Sequence, residues 1–174
     1  MVKCALCGKE FYQKDPKHKT CFDCAKKNWD KPGQAQQTNG LSDEYINDIK
    51  AGYFKEKTNL KDSMIIKHPD NIAKEFGADR RLSYTQLRKF YDRISHLKRL
   101  IEIRGEYNVV LPEILQLGPL VAEASGKTKV PRIFKDFIDI NLEQVKKGED
   151  YFMKGFHPHF QAVLAYFKYY NPQS

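Results

Sequence analysis

Residues 83–105 read SYTQLRKFYDRISHLKRLIEIRG and carry the clearest helical pattern of the chain. Ser83 and Gln86 match the S-x-x-Q capping box that is typical of a helix N-terminus. Gly105 follows the last periodic residue, at the C′ position where a left-handed backbone favours glycine. This pattern predicts a long amphipathic helix with one face in a core. The apolar residues that recur at helical spacing are Leu87, Phe90, Tyr91, Ile94, Leu97 and Ile101.

Helical patterns continue along the rest of the chain from residue 42 onward. Ser42 is expected to cap a helix that Gly52 ends. Pro112 and Gly118 divide an apolar stretch into two short helices. No long run alternates with the period of two that a strand requires, so the predicted fold class is all-α, a compact bundle of about five to six helices. The other expected helices are 70–76, closed by Gly77; 131–148, between Pro131 and Gly148; and 158–170, beginning with Pro158.

The composition fits a folded, basic chain outside the membrane. Of the 174 residues, 41% are hydrophobic, 13% aromatic and 30% charged, as in ordinary globular domains. No apolar run reaches the roughly 18–20 residues of a membrane span, and the N-terminus lacks the apolar region of a signal peptide. We therefore expect a protein of the reducing cytoplasm with no membrane partner. The net charge of +8 and the pI near 9.2 favour a polyanionic partner such as nucleic acid.

All four cysteines lie near the start of the chain as two Cys-x-x-Cys pairs, Cys4 with Cys7 and Cys21 with Cys24. Each pair can offer two thiolates to one metal, and two pairs complete a tetrahedral zinc site. A four-sulfur site leaves no open position for water or substrate, so the predicted Zn²⁺ is structural and not catalytic. Its binding free energy would fold a small zinc-ribbon or zinc-knuckle module.

Three alternatives for the cysteines are less favoured. Disulfides are rare in a reducing cytoplasm, and two matched pairs without a βαβ pattern argue against a redox motif. His18 could replace one sulfur, although four cysteines already complete the shell. The residues after the module, 31–41, are rich in Gly, Pro and Gln and read as a linker. The predicted organisation is a zinc module at 1–30, a linker at 31–41 and the helical bundle at 42–174.

The polar side of the helix at 83–105, with the residues just before it, carries most of the net positive charge of the chain. Between Arg80 and Arg104, eight Lys or Arg residues stand against two acids, a local net charge of +6. A solvated face normally mixes signs, so this one predicts contact with phosphates that does not read bases and that weakens as salt rises. The candidate contact residues are Arg80, Arg81, Arg88, Lys89, Arg93 and Arg99, with His96 on the same face.

Signals for catalysis are weak, and we expect neither enzyme activity nor a small-molecule substrate. The string SGKTK at 125–129 resembles the end of a phosphate-binding loop, but Leu120 stands where that loop requires glycine. His157 and His159 flank Pro158 and could bind a metal or act as an acid–base pair. No carboxylate cluster accompanies them, and the expectation is a helix start with two exposed rings.

The last helix carries four aromatic side chains in five positions, Tyr166, Phe167, Tyr169 and Tyr170. Because these positions cover more than one helix face, two interpretations stay open. The helix is either central to the bundle, or part of its surface meets another protein chain.

Three segments together resemble a known family, in this order and spacing. They are YINDIKAGYF (45–54), YTQLRKFYDRI (84–94) and HFQAVLAYFKYY (159–170). They are similar to the small α-helical subunit of type III-A CRISPR effector complexes (the Csm complex). The resemblance covers 41–172 and is most specific in QLRKFY and AVLAYFKY. Most members of this family are not expected to have the zinc module, so we interpret it as an N-terminal extension.

The resemblance implies a non-catalytic subunit whose copies form the inner filament of a prokaryotic antiviral ribonucleoprotein complex. Such a subunit would contact other subunits, copies of itself, and the backbone of the guide RNA–target RNA duplex without sequence preference. By position in QLRKFY, Arg88 and Lys89 are the best RNA-contacting candidates, whereas Arg93 and Arg99 rest on helix geometry. The alternative is a stand-alone zinc-ribbon nucleic-acid-binding protein such as a transcription regulator. The zinc lobe would contact RNA or dock on a neighbouring subunit. Docking is favoured because a zinc ion with four thiolates carries a charge of −2, which reduces the formal charge of +3 of residues 1–30.

Overall fold

The structure, a computed structural model, describes residues 2–3, 10–11, 40–56 and 58–172. The chain divides into two units, Met1–Thr38 and Asn39–Ser174. In the first unit, strands β1 (Val2–Lys3) and β2 (Glu10–Phe11) pair antiparallel. The predicted zinc ligands Cys4, Cys7, Cys21 and Cys24 and residues 31–39 of the predicted linker lie outside the described residues, so the zinc module stays a prediction.

The second unit is a helical bundle, which confirms the predicted fold class. A small antiparallel hairpin, which the sequence patterns did not predict, lies between the first two helices and consists of β3 (Phe54–Glu56) and β4 (Asn59–Leu60). A 3₁₀ turn (Asp62–Met64) follows it, and a π-helical turn (Tyr151–Phe156) runs directly into the last helix. The α-helices are α1 (Asp43–Lys50), α2 (Lys67–Ala78), α3 (Tyr84–Arg104), α4 (Tyr107–Leu115), α5 (Leu117–Gly126), α6 (Arg132–Val145) and α7 (His157–Tyr170).

Helix α2 is longer than the predicted 70–76 and passes through Gly77. The glycine is there for close approach and does not end the helix, because a Cβ at this position would lie 2.8 Å from Asn171 Nδ2. Pro112 and Gly118 do not separate helices as predicted, since they lie inside α4 and α5, and the break falls at Gln116. Two other predicted helix ends are confirmed. The Ser42 hydroxyl accepts a hydrogen bond from the Tyr45 backbone N–H at 3.3 Å and caps α1. Gly105 has φ 67° and ends α3.

Helix α7 is central to the bundle, where it packs against α2, α3 and the π-helical turn. Its core side is lined by Phe160 and Phe167, which are fully buried. A cluster of aromatic rings around Phe137 joins α7 to α2 and α6, at centroid separations near 5.5–6.5 Å, the range in which edge-to-face and offset pairs are favourable. The rings in contact with Phe137 are Phe76, Phe156, Phe160, Tyr45 and His159.

A buried hydrogen-bond network ties α1, α6, α7 and the hairpin region together. His159 Nδ1 donates to the Met64 carbonyl at 2.6 Å, and its Nε2 accepts from the Tyr45 hydroxyl at 3.0 Å. The Tyr45 oxygen in turn accepts from Asn141 Nδ2 at 2.9 Å, and the Asn141 carbonyl oxygen accepts from the Tyr53 hydroxyl. Every polar group of the network is satisfied, so it specifies one arrangement of the core.

The prediction that both histidine rings are exposed is wrong. His159 is fully buried, and His157 is 9% exposed, with Nε2 3.2 Å from Ser95 Oγ and 3.4 Å from Tyr91 Oη. The sequence pattern predicted that both histidines lie at the start of a helix and are exposed to solvent. The π-helical turn instead continues the helix backward and carries both rings into the bundle. Burial lowers the pKa of each imidazole to about 4.

Lowering the pH from 7 to 4.5 is expected to destabilise the bundle. In the unfolded chain these imidazoles take up protons near their ordinary pKa of 6.5, whereas in the folded chain they stay neutral down to about 4. The unfolded state therefore binds more protons within this window, and the His159 contribution, fully present above pH 6.5, is lost as pH falls towards 4. A shift of this size corresponds to about 3 kcal/mol for His159 once the pH has passed through the whole window. Urea unfolding at several pH values measures the loss.

A His159→Gln variant serves as the control for this pH dependence. It is expected to be less stable at pH 7 and to lose less further stability on acidification, because one of the two buried imidazoles is absent. An unchanged slope of stability against pH in this variant would contradict the assignment to His159.

Candidate nucleic-acid interface

Helix α3 turns its apolar side into the bundle and its charged side outward. The capping box is present in full, since Gln86 N–H donates to Ser83 Oγ and Ser83 N–H donates to Gln86 Oε1. This fixes where the helix begins and therefore which residues face the core. The buried residues of α3 are Leu87, Ile94, Leu97 and Ile101, four of the six predicted, whereas Phe90 and Tyr91 are half-buried.

All six predicted contact residues, Arg80, Arg81, Arg88, Lys89, Arg93 and Arg99, are exposed, but two of them are bound to carboxylates. Arg81 Nε lies 2.9 Å from Asp79 Oδ1, and Arg88 Nε lies 2.8 Å from Asp92 Oδ1. The hydrogen bond from Arg81 lowers the pKa of Asp79. Both arginines therefore share their charge with a neighbouring acid, although exposed ion pairs of this kind are weak and can be exchanged for a phosphate.

Lys89, Arg93 and Arg99 form no ion pair within the part of the chain that the structure describes. We call these three residues the basic face. At 100° per residue they fall within about 120° of the helix circumference, and at 1.5 Å per residue they span about 15 Å along the axis. Lys89 and Arg93 are also like charges at i,i+4, a spacing that destabilises an isolated helix. The folded chain therefore holds a repulsion that an anion would relieve.

Two further exposed cations lie close to the start of α3, and sequence reasoning missed them. Gln86 Nε2 donates to the Lys129 carbonyl at 3.1 Å, which brings the turn before α6 next to the α3 N-terminus. Lys129 and Arg132 are exposed and make no ion pair with a described residue. The only signal in the sequence was the charge of these two residues. The turn that positions them depends on a positive φ at Thr128, a conformation that a threonine does not predict.

Acidic side chains line a shallow groove beside α6. It has a volume of about 620 Å³ and is lined by Leu115 of α4 and by residues of α6 and its C-terminal end. Its acids are Asp136, Asp139 and Glu143, and the last two pair with Lys135 and Lys146. Because carboxylates repel phosphates, RNA contact is favoured on α3 and not in this groove.

Neither a metal cluster nor a histidine acid–base pair is found among the described residues. Across residues 2–3, 10–11, 40–56 and 58–172, no three His, Cys, Asp or Glu side chains are grouped so that they could hold a metal ion. His157 and His159 do not face each other as an acid–base pair, since their nitrogens bond to separate partners in the core. Within the described helices, none combines the length and the apolar character needed to cross a bilayer.

Comparison with known proteins identifies the family. The family model described as Csm2 Type III-A matches residues 59–173, which include α2 to α7 and the basic face. No match was found among curated proteins or among solved structures. The matched range is about two thirds of the chain and contains two of the three segments on which the resemblance rested. The chain belongs to the Csm2 family of type III-A CRISPR systems, the small subunit of the Csm ribonucleoprotein complex in antiviral defence.

Proposed function

We propose that this protein holds the guide RNA–target RNA duplex of the Csm complex by its sugar–phosphate backbone. The observation that carries the proposal is the basic face, three exposed cations on one side of α3 without acidic partners among the described residues. A polyanion that approaches α3 meets these charges first. Copies of the subunit would line the duplex as the inner filament and contact the neighbouring Csm subunits.

Contact through the basic face would be independent of sequence. Lysine and arginine side chains on a convex helix surface meet phosphates, and phosphate contacts position a nucleic acid without reading its bases. In an RNA-guided complex, base pairing reads the sequence, so the protein needs only the backbone. The proposed role therefore requires no catalytic group, no small-molecule substrate and no membrane, and it places the protein in the prokaryotic cytoplasm.

Purification of the native complex through a tag on this chain tests the proposal. Mass spectrometry should find the other Csm subunits, and sequencing of bound RNA should find guide RNA. The isolated chain should bind unrelated RNA duplexes with similar affinity, and that affinity should fall steeply with salt. Tight binding to one defined DNA site would instead support a stand-alone transcription regulator and would refute the proposal.

We also propose that residues 1–30 bind one structural Zn²⁺ through Cys4, Cys7, Cys21 and Cys24. Support comes from the antiparallel pairing of β1 with β2, because the first Cys-x-x-Cys pair lies in the sequence between these two strands. A knuckle of this kind presents both sulfurs to one metal. We propose that this zinc module binds either a neighbouring subunit or RNA.

Metal analysis of the purified chain is expected to give about one zinc per chain. A variant with Cys4→Ser and Cys7→Ser should lose the metal, while the helical circular dichroism of the bundle should be retained. Zinc bound at full stoichiometry by this variant would contradict the ligand set.

A further inference from the structure

The C-terminal end of α7 exposes an aromatic ring, and two lysine side chains lie at the same end of the helix. The side chain of Tyr169 is 75% exposed, whereas Phe167, two residues earlier, is 1% exposed. An exposed tyrosine contributes little burial to folding. Its ring meets that of Tyr170 edge-to-face, with 5.0 Å between centroids and 75° between planes.

Tyr170 is held in place from the side of α2. Its hydroxyl donates to an oxygen of Asp70, and Lys74 Nζ lies 5.2 Å from the centroid of its ring. Lys74 also pairs with Asp70 at 2.6 Å, so the three side chains form one fixed group. Tyr169 therefore rests against a ring that is already anchored, which limits the conformations its own ring must lose on binding.

The same end of α7 reaches the start of α3. Lys168 Nζ lies 4.7 Å from the centroid of the Tyr84 ring, within the range of a cation–π interaction. Tyr84 is the first residue of α3, where the helix dipole favours negative charge. Arg88 and Lys89 follow one turn later along this helix. The residue before the exposed tyrosine therefore contacts the first turn of α3.

We propose that Tyr169 stacks against an unpaired RNA base, with Lys74 and Lys168 close to the phosphates on either side. Stacking on aromatic rings accepts every base, because each base has a π face, and it accompanies cationic grooves in proteins that bind single strands. The lysines beside the two tyrosines favour a polyanion such as RNA as the partner of the exposed ring, because phosphates are attracted to positive charge. The inference rests on the proposed function and extends it from the duplex to an unpaired nucleotide.

The test compares Tyr169→Ala with Tyr169→Phe in the full chain, because phenylalanine keeps the aromatic face and alanine removes it. The probes are a labelled 20-nucleotide oligouridylate and an RNA duplex of the same length. The alanine variant should bind the oligouridylate about 5- to 100-fold more weakly, whereas the phenylalanine variant should stay within about twofold of the wild type. Duplex affinity should change less than about twofold in both. Val109→Ala, at a 52% exposed site on α4, is the matched control.

Each outcome decides between the two proposals. Unchanged oligouridylate binding by Tyr169→Ala, with duplex binding intact, overturns the stacking role and leaves the proposed function standing. Absence of RNA binding by the wild type overturns both. If Tyr169→Ala keeps its RNA affinity but no longer assembles with other Csm subunits, the ring is a protein contact and the inference is wrong.

Discussion

Replacing Lys89, Arg93 and Arg99 together by glutamate is expected to weaken RNA binding by about 100-fold or more at low salt, because three phosphate contacts are lost and three repulsions are added. The slope of log affinity against log salt should also become shallower by about 2–3, one counterion for each lost contact. The three residues are exposed and face away from the core, and glutamate is a good helix former, so the fold should be retained. Fluorescence anisotropy over a salt series measures both effects.

A matched control separates the basic face from net charge. Lys55, Lys67 and Lys154 are each about 55% exposed and each pairs with an acid. Their replacement by glutamate changes the net charge by the same amount, yet it should weaken RNA binding far less. Exposed ion pairs contribute at most about 1 kcal/mol each, so this control should also fold. Equal losses in the two triple variants would show that total charge governs binding and would contradict a defined face.

Gly155→Ala is expected to destabilise the bundle by about 3 kcal/mol, at the upper end of the usual range for overpacking. Gly155 is buried in the π-helical turn, and a Cβ added there would lie 2.8 Å from Tyr53 Cγ. The tyrosine cannot move aside freely, because it is fully buried and its hydroxyl donates to Asn141. Thermal unfolding should show a Tm lower by about 10 °C.

Two comparisons make the Gly155 result specific. Gly126→Ala, at the end of α5, has no atom within 4 Å of the added Cβ and should be neutral or slightly stabilising. Gly155→Ala in a Tyr53→Leu background should cost less than in the wild type, because the smaller side chain relieves the clash. An equal cost in both backgrounds would exclude the ring of Tyr53 as the cause.

The sequence predicted the parts of the fold that local rules determine. The capping box of α3, its buried face and its glycine end were all readable, because a helix terminus and a period of 3.6 residues leave their marks within one segment. The net charge of α3 could also be predicted. The sequence did not show which cations remain unpaired, because Arg81 and Arg88 bond to acids whose positions depend on side-chain conformation.

The buried network was beyond sequence reasoning. Asn141 lies within a helix and Tyr45, Tyr53 and His159 lie far from it in the chain, so no local spacing relates them. The histidines were expected in solvent because His is often exposed and proline commonly begins a helix. The π-helical turn changed that outcome, since it has no sequence pattern comparable to a cap. Of the two interpretations of the α7 aromatics, the central position of the helix is confirmed, whereas contact of its exposed surface with another protein chain stays a prediction.

The net charge is distributed unevenly over the helices of the bundle. Helix α3 carries six Lys or Arg residues and two acids, whereas residues 106–126 carry Glu106, Glu113 and Glu123 and no Lys or Arg. Such a body has a permanent electric dipole moment as well as a net charge. A polyanion therefore exerts a torque on it, which turns α3 towards the RNA before contact and raises the fraction of encounters that are productive. A protein of equal net charge with its signs evenly mixed would be attracted as strongly and would arrive in random orientations.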